Sequence, residues 1–440
     1  MKTVTTGDAD VIQPKPAPIH ISSTPPRAPT TEVLNERVMA DKLWVGVLIT
    51  SVLALLGGSL AFLVTTQNLD VVAIALSQIT WTSIFLTIVL PIAISLGVLE
   101  VVLFLLRAIP LITIHVSYIL TMLVAPIAAL LVFPRTDLLI IECVLWFIIS
   151  LIVYIVIFHR LQKAADLLKI VAELLLKNQP ILLSYLFGGL ILIGPFLFIV
   201  WAAFIVNYQN PAVGNEQYPI FFWTAFVGTV WALVFIIHAG DVFFAHIFSI
   251  LAPGITSSTL SIIHSGFQQI IQSCGTIFLG TILQTILLAA RSILQFASKK
   301  EIFNRRNPRS IRNALLAIYG LITSLLKLLD LSIGLCTQYA LVLAGINGTS
   351  FHDSINDSNT LSDAKLGFPL TFFPAMILSS VVSIISGLFF CTTIGATILT
   401  GLTSATLISA TLIPILGISA ISSSALALIA IAITAQNPPK

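Results

Sequence analysis

The chain has 440 residues, 57% of them hydrophobic and only 9% charged, with a net charge of +3 and a mean hydropathy of +1.05. Soluble domains carry about a quarter charged residues, so this composition excludes a soluble globule and indicates a polytopic membrane protein. The small positive balance does not suggest nucleic acid as a partner, and its basic clusters carry topological information instead.

Residues 1–40 hold Pro14, Pro16, Pro18, Pro25, Pro26 and Pro29 among many Ser and Thr. Such a stretch buries too little apolar surface to offset its ordering entropy, so a disordered cytosolic tail is expected. The first apolar run, Leu43 to Val64, is too long for a secretory signal core and reads as the first span, with Arg37 and Lys42 on its cytosolic side. Residues 41–440 form the expected transmembrane domain.

Further spans are predicted at 82–106, 109–133, 137–158, 181–206 and 220–240, with an extension of the last to 249 left open. Between the fourth and fifth, HRLQKAADLLKIVAELLLKNQ sets Arg160, Lys163, Lys169 and Lys177 around Leu and Ile, the pattern of an amphipathic helix on the inner membrane surface. The loops at 65–81 and 207–219 hold no Lys or Arg and are expected outside.

Beyond residue 240 two topologies remain open. In one, the weakly apolar stretch Phe243 to Ile263, interrupted by Pro253 and Gly254, crosses the membrane while Asn313 to Ile346 lies at the interface. In the other, the basic loop SKKEIFNRRNPRSIR lies outside and Asn313 to Ile346 crosses. Both give about ten spans with both termini cytosolic in an all-α helical bundle, completed by the runs at 369–402 and 405–434, rich in the small residues that let membrane helices approach.

One stretch sets the terms for the rest. From Ser273 to Ala297, residues Thr276, Gly280, Gln284, Arg291 and Gln295 share a stripe at helical spacing. A guanidinium near mid-bilayer costs about 2.5 to 3.5 kcal/mol on insertion scales, so the stripe is expected to face helices, water or headgroups rather than lipid. Acids within apolar runs are candidate counter-charges or proton sites. Glu100 fits this description, with pairing to Arg107 as its structural alternative, and so does Glu142, with a reach to the headgroups as its alternative. Asp241 closes the sixth run and is expected at the interface. Gly188, Gly189, Gly194 and Pro195 either open backbone groups to a solute or serve close packing.

The run GTIFLGTILQTILLAARSILQF resembles a span of the choline transporter-like family, and QYALVLAGINGTSF resembles that family's Tyr-Ala segment through Tyr339, Ala340, Ala344, Ile346, Gly348, Ser350 and Phe351. Looser likenesses are DKLWVGVLI, HRLQKAADLLKIVAE and IPILG, so that the resemblance covers most of the chain in order and is closest to the short fungal type. Leu341, Asn347 and Thr349 depart from the family pattern.

The resemblance implies facilitated transport of choline or ethanolamine, small cations that the membrane potential would draw inward. A quaternary ammonium donates no hydrogen bond, so aromatic faces would recognise it, at about 0.5 to 2 kcal/mol each. Trp201 and Trp231 lie deepest in their runs, and Tyr339 belongs to the resembling segment; the alternative for any Trp or Tyr is a bilayer-interface anchor. The expected solute site therefore comprises Glu100, Glu142, Trp201, Trp231, Gln284 and Tyr339. The expected partners are a small cationic solute and membrane lipids, in the plasma membrane first and an organellar membrane second.

Competing readings are an intramembrane enzyme and a non-transporting or lipid-handling protein. No phosphate-binding Gly-rich loop is present, no cofactor is expected, and the four cysteines stand singly without metal-ligand spacing. An enzyme would need clustered His, Asp or Ser in a polar cavity, and the seven histidines form no metal-ligand pair beyond a loose His238 and His246. The sequons at Asn347 and Asn356 lie where both topologies put them inside, so neither is expected to carry a glycan, a point that endoglycosidase treatment of the expressed protein checks.

Overall fold

The computed structural model describes residues 42–65, 89–132, 161–209, 218–252, 258–302, 334 and 336–356, and 400–436, with single positions between 144 and 158. The tail at 1–40, the fourth span apart from those positions, and the runs at 313–333 and 369–399 lie outside the described residues. No strand occurs among those described. In hydrocarbon every backbone polar group must be satisfied within its own segment, and a helix does this for a single apolar run.

The helices are α1 (Lys42–Thr65), α2 (Leu90–Ala108), α3 (Pro110–Val132), α4 (Leu161–Lys177), α5 (Gln179–Gln209), α6 (Tyr218–Leu251), α7 (Thr259–Gln272), α8 (Cys274–Ile302), α9 (336–347) and α10 (Thr400–Gln436). Polar side chains inside them serve themselves. In α1 the hydroxyls of Thr50 and Ser51 donate to the carbonyls of Gly46 and Val47, each at 2.8 Å. Proline in the first turn starts α2. Ser258 caps α7 by accepting from the Ser261 N–H at 3.3 Å. Gly348, with φ of 67°, ends α9 and donates its N–H back to Ala344 at 2.8 Å.

Among the described residues, Gln179–Phe196, Val227–Leu251 and Leu412–Ile431 are long and apolar enough to cross a bilayer, and α7 with the first half of α8 forms a pair bent by 63°. Residues Phe243 to Leu251 are the end of α6, which runs unbroken past residue 240. The version in which 243–263 crosses on its own is therefore corrected: one helix ends at Leu251 and the next begins at Thr259, while the charge of Asp241 lies inside α6.

Helix α6 is the hub, packed by α5, α7, α8 and α10, with Phe243, Phe244 and Ile247 fully enclosed. The outer surface of the bundle carries bare apolar side chains such as Val101, Phe104, Ile191 and Leu192, as a lipid-facing surface requires. Helix α4 is amphipathic as predicted, but Leu161, Ala164, Leu168, Val171 and Leu175 are buried against protein, because the helix packs on α2, α3 and α10. Its Lys163, Lys169 and Lys177 point outward.

Close approach explains two of the glycines in the fifth run. A Cβ at Gly189 would stand 2.8 Å from both Ile236 and Leu416, and one at Gly188 would stand 3.1 Å from Phe267. These residues let α5 close on its neighbours, and Pro195 sits inside the uninterrupted helix. Packing, not an opened backbone, is what Gly188 and Gly189 serve.

Candidate functional site

Where α6, α8, α9 and α10 meet, the apolar interior gives way to a polar seam. From α6 come His238 and Asp241, one turn apart and 2% and 1% exposed. The His238 ring lies 3.3 Å from the Thr281 hydroxyl of α8, one turn before Gln284 on the same helix. Gln284 in turn lies beside Gly334, where an added Cβ would be 3.5 Å from its Nε2. Thr285, one turn beyond Thr281, holds a buried hydroxyl with no partner among the described residues.

Asp241 sits near the middle of the apolar window Val227–Leu251, where an unsatisfied charge is expensive. Its Oδ1 accepts from Gln338 Nε2 of α9 at 3.3 Å and from the Ser423 hydroxyl of α10. The second Gln338 N–H reaches Ser422 at 3.2 Å, so the amide spans both neighbours. The Ser423 hydroxyl has one proton and two acceptors in reach, Asp241 and the Ser419 carbonyl at 2.6 Å. Ser419 itself donates to the Ile237 carbonyl at 3.2 Å, tying α10 to α6. Asp241 Oδ2 is buried and has no hydrogen-bond partner among the described residues.

Tyr185 of α5 covers the same turn of α6. Its hydroxyl donates to the Ile236 carbonyl at 2.6 Å, and its ring stacks on Phe243 at 5.3 Å. On the α8 side of α6, Trp231 packs among Phe196, Phe235 and Phe278 at ring separations of 6.2, 5.9 and 6.1 Å. Trp44 of α1 closes on Phe278 from the far side at 6.3 Å.

The predicted site residues are thus only partly brought together. Gln284 belongs to the polar seam, and its stripe partners Thr276 and Gly280 are buried, Gly280 against Thr337, Leu341 and Phe351. The expectation that this stripe faces helices holds for those three residues, whereas the side chains of Arg291 and Gln295 lie outside the described set. Trp231 stands in an aromatic cluster inside the bundle, and Tyr339, adjacent to Gln338, is buried in the main core. Glu100 lies apart, half-buried, accepting from Gln179 at 3.5 Å. Trp201 is in α5 with its side chain outside the described set, and Glu142 lies outside the described residues altogether.

One expectation changes and two alternatives fall away. Asp241 is enclosed between helices rather than set among headgroups, because Gln338 and Ser423 supply donors in place of water. Arg107 pairs with Glu173 of α4 at 3.8 Å, and not with Glu100. Both partners are about half exposed, so Glu173→Gln is expected to change the unfolding free energy by less than about 1 kcal/mol, as thermal melting in detergent would show. His238 and His246 do not converge: His238 turns to Thr281, while His246 Nε2 meets the Ser265 hydroxyl of α7 at 2.5 Å. Their sequence spacing allowed a shared ligand, but they serve different helix pairs.

Sequence reading missed Asp241, Gln338 and the serines of α10 as a unit. The available signal was the length of the sixth apolar run when it is not cut at the acid. Residues 141–435 match the family model described as plasma-membrane choline transporter, a stretch that includes every member of the polar seam. No curated protein matches the chain.

Proposed function

This chain belongs to the plasma-membrane choline transporter family, and from that premise we propose that it moves choline or a similar small organic cation, such as ethanolamine, by facilitated transport. It is an integral, all-helical membrane protein of a transporter family whose members are described as residing in the plasma membrane. The observation that supports the reading is the seam of His238, Asp241, Thr281, Gln284, Gln338 and Ser423, in which His238, Asp241 and Ser423 lie in helices long and apolar enough to cross a membrane and Thr281 and Gln284 in the second limb of the bent pair. Polar groups at that depth are costly unless they line a route or hold one another, and this seam leaves one carboxylate oxygen without a partner among the described residues.

Trp231 of α6, beside the seam, and Gln284 of α8, within it, are the proposed solute contacts. Tyr339, Trp201, Glu100 and Glu142 are proposed contacts along the rest of the path. Transport proceeds down the electrochemical gradient without a nucleotide or any other cofactor, and no catalysis is proposed.

Uptake of labelled choline and ethanolamine into vesicles holding only this protein tests the reading. Saturable cation flux is expected. Trp231→Ala should lower kcat/KM by about 2- to 30-fold, the equivalent of one cation–π contact, and Glu100→Gln should also lower flux. Absence of cation flux together with phospholipid movement between leaflets would put a lipid-handling role in its place.

A further inference from the structure

Within the seam the charges do not balance. Among the described residues no Lys or Arg pairs with Asp241, and the polar side chains around it are already engaged with other partners. Tyr185 donates to the Ile236 carbonyl, His238 faces Thr281, and Ser419 donates to the Ile237 carbonyl. The carboxylate is held from one side only. Gln338 and Ser423, arriving from two other helices, fix Oδ1, and this orients Oδ2 while leaving it unserved. An isolated acid could be hidden at this depth with both oxygens hydrogen-bonded, as the surplus of serine hydroxyls nearby would allow. Instead Ser422 and Ser424 turn to the carbonyls of Ser419 and Ala420 at 3.0 and 2.6 Å.

We propose that Asp241 Oδ2 is the atom that receives the positive end of the solute, a small monovalent organic ammonium, and that Gln338 and Ser423 are positioning residues for it. The proposal rests on the transporter reading and deepens it, by naming where the cation's charge is matched. Being buried, Asp241 exposes its bare oxygen only to a ligand that enters between α6, α9 and α10. An ammonium there converts an unpaired buried carboxylate into a charge pair; an uncharged solute of the same shape would leave the carboxylate as it was. Charge, more than shape, would then decide what this place accepts.

The experiment uses the full chain in nanodiscs and in proteoliposomes. Equilibrium binding of labelled choline is measured for the wild type, Asp241→Asn, Asp241→Glu and Ser423→Ala, with 3,3-dimethylbutan-1-ol as the uncharged competitor of the same shape. In the wild type, choline is expected to bind far more tightly than the alcohol. Asp241→Asn should weaken choline binding by about 100-fold and abolish the preference over the alcohol. Asp241→Glu should retain part of both. Ser423→Ala keeps the carboxylate, so it should weaken binding while preserving the preference, a pattern that a merely structural serine would not produce. Should Asp241→Asn fail to yield monodisperse protein, the Asp241→Glu and Ser423→Ala pair still carries the test, and choline binding unchanged in both overturns the proposal. Choline binding and uptake that are unchanged in Asp241→Asn overturn the proposal and leave the transporter reading standing. Asp241-dependent binding without any uptake by the wild type overturns the transporter reading alone, and wild-type protein that binds no ammonium solute overturns both.

Discussion

Valine in place of Gly345 is expected to leave little folded protein, and alanine there to cost roughly 1 to 3 kcal/mol. A Cβ on Gly345 would stand 2.7 Å from the Val242 carbonyl oxygen, 2.9 Å from the Ala245 Cβ and 3.1 Å from the Val242 Cα. Two of these three atoms are backbone, so no rotamer change relieves the clash. Nor can α6 withdraw, since α5, α7, α8 and α10 hold its remaining faces. The displaced helix is also the one that carries His238 and Asp241, so the loss should reach the polar seam as well as the packing. Gly194 in α5 is the control: nothing lies within 4 Å of its added Cβ, and Gly194→Ala should stay within about 0.5 kcal/mol of the wild type. Size-exclusion profiles and thermal melting of the three variants in one detergent decide the matter. A Gly345→Val protein that is monodisperse and melts like the wild type would mean that α9 does not approach α6 as described.

Those two glycines mark the boundary of what a single sequence discloses. The apolar run Leu43 to Val64 and the helix Lys42–Thr65 nearly coincide, and the run at 181–206 lies within Gln179–Gln209, because in a membrane an apolar run has few options other than a helix. The stripe through Thr276, Gly280 and Gln284 was legible for the same reason: periodicity within one helix says which residues share a face, and cost says that a polar face is not given to lipid. Partners 97 and 182 residues apart are a different matter. Nothing in the vicinity of Asp241 announces Gln338 or Ser423, and without them a charge looks like the end of a span. Arg107 has Glu100 seven residues earlier on its own helix, yet its partner Glu173 comes from α4, whose docking on α2 is decided by buried Leu and Ala side chains. Ser422, Ser423 and Ser424 of α10 read as small packing residues, which they also are, since each returns its hydroxyl to its own helix. Their second role depends on which helix lies opposite.

Gln338→Leu is expected to be the most damaging substitution that leaves the packing volume almost unchanged. It removes a donor to Asp241 Oδ1 and the link to Ser422, and leaves the Asp241 carboxylate depending on a single serine hydroxyl that also faces the Ser419 carbonyl. Hydrogen bonds to charged groups contribute roughly 1.5 to 3 kcal/mol, and stripping one from a buried acid adds the unmet desolvation of that acid. A loss of roughly 3 kcal/mol in stability is therefore expected, along with loss of cation flux. The stronger check is a double-mutant cycle with Asp241→Asn. If Gln338 acts on the charge of Asp241, removing the charge first should make the leucine far less costly, with a coupling of about 1 to 3 kcal/mol between the two sites. If Gln338 matters only as a packed side chain of α9, the two losses should add. Additive losses would detach Gln338 from Asp241 and reduce the seam to two unrelated polar contacts, and a shared loss would make them one device.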